Sequence, residues 1–146
     1  MRRFRPVRVL VVEDNPDDIE IAQRAFARSG MNCEVSVARD GREVLDVLGR
    51  AAGRPGYGLP DIILLDVNLP LMNGFDVLQR IRGNPAWAII PVVMLTASGR
   101  EEDVRRSYQL GANSFMQKPI AFDQFQAHLA TLGEYWFNVA TLPEVA

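Results

Sequence analysis

Apolar residues along this chain follow two kinds of pattern. In the first, four short runs of strand-type residues each stop abruptly at a polar position: Val9-Leu10-Val11-Val12 at Glu13-Asp14, Ile62-Ile63-Leu64-Leu65 at Asp66, Val92-Val93-Met94-Leu95 at Thr96, and Ser114-Phe115-Met116-Gln117 at Lys118-Pro119. Near-continuous apolar runs mark parallel strands covered on both faces, and in open α/β sheets ligands gather outside the carboxyl ends of the strands. A weaker alternation, Val35-Ser36-Val37-Ala38, predicts a fifth, less buried strand.

The second pattern is helical spacing between the runs. Asn15-Pro16 supplies an N-cap and a proline at the first helical position, Ile19, Ala22 and Phe26 follow on one face, and Ser29-Gly30 closes the segment. Asp40-Gly41 opens a helix carrying Val44, Leu45 and Leu48; the Gly- and Pro-rich stretch from Gly49 to Pro60 then reads as an exposed loop. A third helix runs from about Gly74 to Ile81 with Phe75, Leu78 and Ile81 inward and stops before Asn84-Pro85, and a fourth follows Ser98-Gly99 and closes at Gly111. The last places Phe122, Phe125, Leu129, Leu132 and Trp136 at steps of three and four, a stripe that docks on the sheet. Strands alternating with helices predict a doubly wound α/β fold, a parallel sheet with helices on both faces.

Composition narrows the picture. A chain of 146 residues, 48% hydrophobic, fits one domain spanning 1–146, with a core of about 7–136 and a C-terminal tail of 137–146. A net charge of −2 with Arg spread along the chain gives no nucleic-acid footprint. The basic start Met1-Arg2-Arg3-Phe4-Arg5 leads into too short an apolar run for a signal peptide or a membrane span, so a cytoplasmic protein is expected. Cys33 is the only cysteine and His128 the only histidine, which excludes an intrachain disulfide or zinc centre; Cys33 reads as a small buried hydrophobe.

The polar ends of the four strands carry the chemistry. Three acids, a hydroxyl and an ammonium meet at one edge of the sheet, and carboxylates without His or Cys favour a hard cation such as Mg²⁺, which recruits phosphate. Glu13 and Asp14 on their own also read as acids favouring the positive end of the first helix. With Asp66, Thr96 and Lys118 in register, the site reading is preferred.

In these residues the chain resembles a receiver domain of a two-component response regulator, over nearly everything from Val7 to Trp136. The resemblance rests on Val11-Val12-Glu13-Asp14, on Leu64-Leu65-Asp66-Val67-Asn68-Leu69-Pro70 with Gly74, on Thr96-Ala97 and on Lys118-Pro119, in that order. It implies a (βα)5 flavodoxin-like three-layer sandwich with a five-stranded parallel sheet ordered 2-1-3-4-5. It also implies that Asp66 accepts a phosphoryl group from a histidine kinase, that Asp14 and Asp66 ligate Mg²⁺ directly, that Asn68 offers its backbone carbonyl, and that Glu13 acts through a bound water. Many family members carry Asp where Glu13 stands here. The chemistry agrees: an ionised carboxylate can attack phosphorus without a base, and a phosphoryl dianion nears three carboxylates only with a divalent ion between them.

By the same resemblance Lys118 and Thr96 stabilise charge on the phosphoryl oxygens, with backbone N–H groups near Val67 and Ala97 as further donors. The Lys118-Pro119 bond is then a candidate cis peptide, and Asn68 and Ser98 occupy positions that tune hydrolysis. Pro70 and Gly74 read as turn residues shaping the loop after Asp66. Phe115 reads equally as a strand residue packed on a helix or as the aromatic switch that moves with Thr96.

Rival functions are a haloacid-dehalogenase-like phosphatase, a flavodoxin-like electron carrier and a degenerate receiver. The first lacks its second acid, since Asn68 stands two residues after Asp66, and lacks an insertion for a cap. In the second, Glu13-Asp14 would repel a flavin phosphate, and the complete set of site residues argues against the third. With no output domain after the last helix, the expectation is a stand-alone regulator signalling through its helix four, strand five and helix five surface. The aromatic run Gly133-Glu134-Tyr135-Trp136-Phe137, with Glu13-Asp14-Asn15-Pro16-Asp17-Asp18, is similar to small receivers serving bacterial and cyanobacterial phytochrome kinases. That similarity implies a light-sensing (bacteriophytochrome) kinase as partner and a homodimer through the C-terminal helix region. Tyr135 or Phe137, with Val139 and Leu142, would then form an exposed apolar patch while Trp136 faces inward; alternatively, Trp136 and Phe137 merely finish the chain's own core.

Overall fold

The computed structural model describes residues 5–28, 31–51 and 58–144. Five strands, β1 (Val7–Val12), β2 (Cys33–Ala38), β3 (Ile62–Asp66), β4 (Val92–Thr96) and β5 (Ser114–Gln117), alternate with five helices, α1 (Pro16–Arg28), α2 (Gly41–Ala51), α3 (Gly74–Gly83), α4 (Glu101–Gln109) and α5 (Phe122–Gly133). All strand pairs are parallel and the order is β2-β1-β3-β4-β5. This is the doubly wound flavodoxin-like receiver fold that the periodicity and the resemblance predict. Among the described residues, no helix is long and apolar enough to cross a membrane.

Strand alternation divides the core. Leu10, Val12, Ile63, Leu65, Val92 and Met94 face α2 and α3, where Val44, Leu48, Phe75, Leu78 and Ile81 bury against them. Val9, Val11, Ile62, Leu64, Val93 and Leu95 face the other way, against Ile21, Ala22, Ala25 and Phe26 of α1 and Phe125 and Leu129 of α5. Successive side chains of a strand point to opposite faces, so runs without polar interruption are what a sheet covered on both sides requires. Central β3 and β4 are buried throughout, whereas edge strands β2 and β5 are half-exposed. Cys33, at the start of β2, is accordingly half-buried rather than buried, and burial pushes its thiol pKa up.

The two ends of the sheet are built differently. At the amino ends of β1 and β3, the buried carboxylate of Asp61 takes two hydrogen bonds from Arg5, at 2.9 and 3.0 Å, and one from the Arg8 amide at 2.8 Å. At the foot of β4, the Arg82 guanidinium bonds the carbonyls of Gly111, Ala88 and Ile90 and Oδ1 of Asn113, which also accepts the Val92 amide. By contrast, Ser107 is the only buried residue of α4, which leans on α3 by laying Arg106 over the Phe75 ring, 4.4 Å from its centre.

Several expectations are corrected. Gly49, Arg50 and Ala51 extend α2, with Ala51 buried, instead of opening the loop; 52–57 and the stop at Ser29-Gly30 lie outside the described residues. Phe122 is 50% exposed, because the whole stretch 120–124 stands clear of the sheet and the inward stripe begins one turn later at Phe125. After Gly133 the helix widens into a π-helical segment, Glu134–Val139, closed by the Ala140 amide on the Tyr135 carbonyl at 2.6 Å. A wider turn advances each residue by less than the α-helical angle of about 100°, so neighbours Trp136 and Phe137 share the inner side. Phe137 packs edge-on to Phe26 of α1, ring centres 5.4 Å apart, and Leu142 also rests on this core. Tyr135 and Val139 are the large apolar residues of this segment left outside, 52% and 67% exposed.

Candidate functional site

Strands β1, β3, β4 and β5 deliver polar groups to the carboxyl end of the sheet. Glu13 follows β1 and is fixed there by its amide on the Ala38 carbonyl, 2.9 Å. Asn15 caps α1 by accepting the Asp17 and Asp18 amides at 2.9 and 3.3 Å, while its own amide donates to Glu13 Oε1 at 3.3 Å. Asp66 ends β3. One of its oxygens accepts the Asn68 amide at 3.0 Å, the turn that carries the chain out of the sheet. The following loop comes back against the strand, with the Gly74 amide on the Val67 carbonyl at 2.8 Å. A Cβ at Gly74 would lie inside contact distance of the Asp66 carbonyl and 2.8 Å from Val67 Cα, so only glycine fits.

Lys118, one residue past β5, unites the cluster. Its ammonium donates to Glu13 Oε2 at 2.6 Å, Asp66 Oδ2 at 2.9 Å and Asp18 Oδ2 at 3.0 Å, so all three of its hydrogens have carboxylate partners. Its side chain is only 9% exposed. Burial works to lower its pKa, but the charge of Asp66 and the hydrogen bonds to Glu13 and Asp66 outweigh that and hold it above the ordinary lysine range. Burial, with Asp66 alongside, pushes the Glu13 carboxyl up to about 8 despite the pull of Lys118. The Lys118-Pro119 bond is trans, as are all peptide bonds among the described residues, which corrects the cis expectation. Trans is the cheaper isomer, and the flexible lysine stem reaches the acids from it.

Thr96, at the end of β4, is fully buried. Its hydroxyl oxygen lies 3.3 Å from Asn68 Nδ2 and 3.2 Å from the Ser98 amide, accepting from both, so its own proton is the donor it offers. The Val67 amide, expected as a further donor, instead bonds the Leu95 carbonyl at 3.0 Å. Phe115 is half-buried against the α2–α3 side of the core, and its amide donates to the Tyr108 hydroxyl of α4 at 3.2 Å.

Carboxylate oxygens of Glu13, Asp14 and Asp66 lie within 4.8 Å of one another, with Asp14 exposed to solvent. An all-oxygen donor set of this kind fits a hard divalent cation. Glu13, Asp14, Asp66, Thr96, Asn68 and Lys118 are thus gathered at one edge, as their strand-end positions predict. Asp18 was not singled out by the sequence. An acidic pair in a helix's first turn reads as a dipole partner, and only the arrival of Lys118 from β5 tells Asp18 from Asp17.

Comparison with known proteins agrees with this geometry. The family described as response regulator receiver domain matches residues 9–130. Response regulator Rcp1 of Synechocystis is 33% identical over 94% of this chain and 94% of its own length, and the structure of its Mn²⁺-bound form superposes with a TM-score of 0.88. The phosphorylated cyanobacterial phytochrome response regulator RcpA is 37% identical, TM-score 0.88, over 95% of this chain and 99% of its own. The bacteriophytochrome response regulator AtBRR is 44% identical, TM-score 0.70, over 95% and 99%.

Proposed function

We propose that this chain, which belongs to the receiver domains of response regulators, is a stand-alone regulator, one domain over 1–146, that takes a phosphoryl group from a histidine kinase onto Asp66. The observation that carries this reading is the Lys118 ammonium 2.9 Å from Asp66 Oδ2, beside the carboxylates of Glu13 and Asp14. A carboxylate oxygen of Asp66 attacks phosphorus. The new O–P bond forms as the P–N bond to the kinase histidine breaks, and the leaving imidazole is neutral once it takes a proton. Asp14, Asp66 and the Asn68 carbonyl would hold Mg²⁺, with Glu13 acting through water, and the ion would supply positive charge to offset the carboxylates as a phosphoryl dianion approaches. Lys118 turns its hydrogens from carboxylate to phosphoryl oxygen, and the Thr96 hydroxyl donates from the β4 side.

The product is read as a shift of population: Thr96 drawn toward the phosphoryl group, Phe115 inward, and the α4–β5–α5 face changed. The thin packing of α4 supports that choice of surface. Likeness to phytochrome response regulators supports a bacteriophytochrome-type kinase as donor, and exposed Tyr135 and Val139 support a homodimer through the C-terminal helix region. Acetyl phosphate with Mg²⁺ should label the protein once, as an acid-stable, base- and hydroxylamine-labile acyl phosphate. Asp66→Asn should not label; stoichiometric labelling of that variant would refute the assignment.

A further inference from the structure

Lys118 is held by three carboxylates of which only two belong to the groups that would face metal or phosphorus. The third, Asp18, belongs to α1. Its Oδ2 is 3.0 Å from Nζ, its side chain is 24% exposed, and it is not among the carboxylates that converge as a cation's ligand set. Asn15 fixes where it points, because the Asn15 side chain caps the turn through the Asp17 and Asp18 amides. The next residue, Ile19, is buried.

We propose that Asp18 is a positioning residue for phosphoryl transfer, holding one N–H of Lys118 so that the other two are aimed at the phosphoryl oxygens. This rests on the function proposed above. The reasoning is a count of donors. An ammonium has three hydrogens, and in the resting site Glu13, Asp66 and Asp18 take one each. During transfer Asp66 becomes the bonded oxygen and the charge of Glu13 turns toward the cation. Both of their hydrogen bonds are then released, and a lysine on a flexible stem would swing freely. Asp18 lies outside that rearrangement and keeps its bond. Productive geometry then costs the ammonium little orientational freedom, which is how a group that never touches the reacting atoms affects the rate.

The test is a double-mutant cycle on the full chain, read as the labelling rate at saturating acetyl phosphate and Mg²⁺. Mg²⁺ affinity is measured separately by calorimetry without phosphodonor. Asp18→Ala should slow labelling about fivefold to tenfold, the scale on which one partly exposed hydrogen bond to a charged group counts. Asp18→Asn, which keeps an acceptor oxygen, should recover part of the loss. In a Lys118→Ala background neither substitution should have further effect, and Mg²⁺ affinity should stay within about twofold throughout, as expected of a residue acting only through the lysine. The burial of Ile19, Ile21, Ala22, Ala25 and Phe26 holds α1 in place, so both variants should fold. An unchanged or faster rate in Asp18→Ala would overturn the proposal, since removal of a negative charge alone would speed approach of the donor. A loss that persists without Lys118, or that follows Mg²⁺ affinity, would overturn it equally. Failure of the unmutated protein to label on Asp66 would instead refute the proposed function.

Discussion

The ammonium of Lys118 and the carboxyl of Glu13, 105 positions apart in the chain, meet at 2.6 Å and join the last strand to the first across the mouth of the site. Both shifts make stability fall as pH rises, but in different windows. Glu13 titrates near 8 when folded and near 4.5 when unfolded, so between those values the folded state holds the extra proton and stability falls as pH rises. Lys118, raised, contributes stability that is complete below its unfolded value of 10.5 and is lost only as pH passes its folded value. Thermal unfolding in EDTA should therefore show stability declining from about pH 5 to 8, by at most about 1.4 kcal/mol per pH unit from this group. Glu13→Gln should flatten that slope; an unchanged slope would show that Glu13 is not the titrating group.

Metal binding should draw on the same proton. Mg²⁺ affinity is expected to rise with pH through this window with release of a proton, measured by calorimetry in two buffers of different ionisation heat. Asp14→Ala, which removes the exposed carboxylate of the cluster, should weaken Mg²⁺ by about tenfold or more and slow labelling with the fold intact. Undiminished affinity would take Asp14 out of the metal set.

Chemistry and switching should separate by residue. Lys118→Ala and Thr96→Ala should both impair the response, through lost charge and lost hydroxyl donor. Phe115→Ala should still accept the phosphoryl group but fail to change the α4–β5–α5 face, followed by NMR of the α4 amides with and without beryllofluoride. A folded Phe115→Ala that cannot be labelled would make the aromatic part of the reaction site.

Assembly should depend on the outward residues of the π-helical segment. Tyr135→Ser with Val139→Ser should lower the dimer fraction in light scattering without lowering Tm. Phe137→Ala should cost about 1–3 kcal/mol, because its half-buried ring closes on Phe26. Removing the chain from Phe137 onward would thus confound assembly with folding. An intact protein that is monomeric at high micromolar concentration would refute the homodimer.

Gly74→Ala should destabilise the domain by about 1–3 kcal/mol, as overpacking does, because its Cβ would meet backbone that cannot rotate away. Urea unfolding measures it; a neutral result would mean that the loop can shift away from Asp66.

What could be read from the chain follows from what each pattern encodes. β1, β3 and β4 were legible because strands buried on both faces admit no polar residue, so their ends, and hence Glu13, Asp66 and Thr96, were marked by contrast. Gly49-Arg50-Ala51 misled because Gly and Pro suggest a loop, while burial of Ala51 under the sheet prolongs the helix. Helical spacing could not foresee the change of pitch after Gly133, which turns Phe137 inward, nor that Phe122 lies one turn ahead of the sheet. Asp18 was illegible for a different reason: its meaning lies in Lys118, 100 positions away.

The contrast between the two ends of the sheet has a consequence in time. Beneath the strands, Arg82 and Asp61 bind neighbouring segments into one unit, so amides there, such as Val92, should exchange with solvent only when the whole domain opens. Above the strands, α4 is held by one buried serine, one cation on a ring and the Tyr108 hydroxyl that accepts the Phe115 amide, and its amides should exchange by small openings many times more often. The molecule thus runs two clocks, a slow one at its base and a fast one at its rim, and the fast one lies beside Thr96.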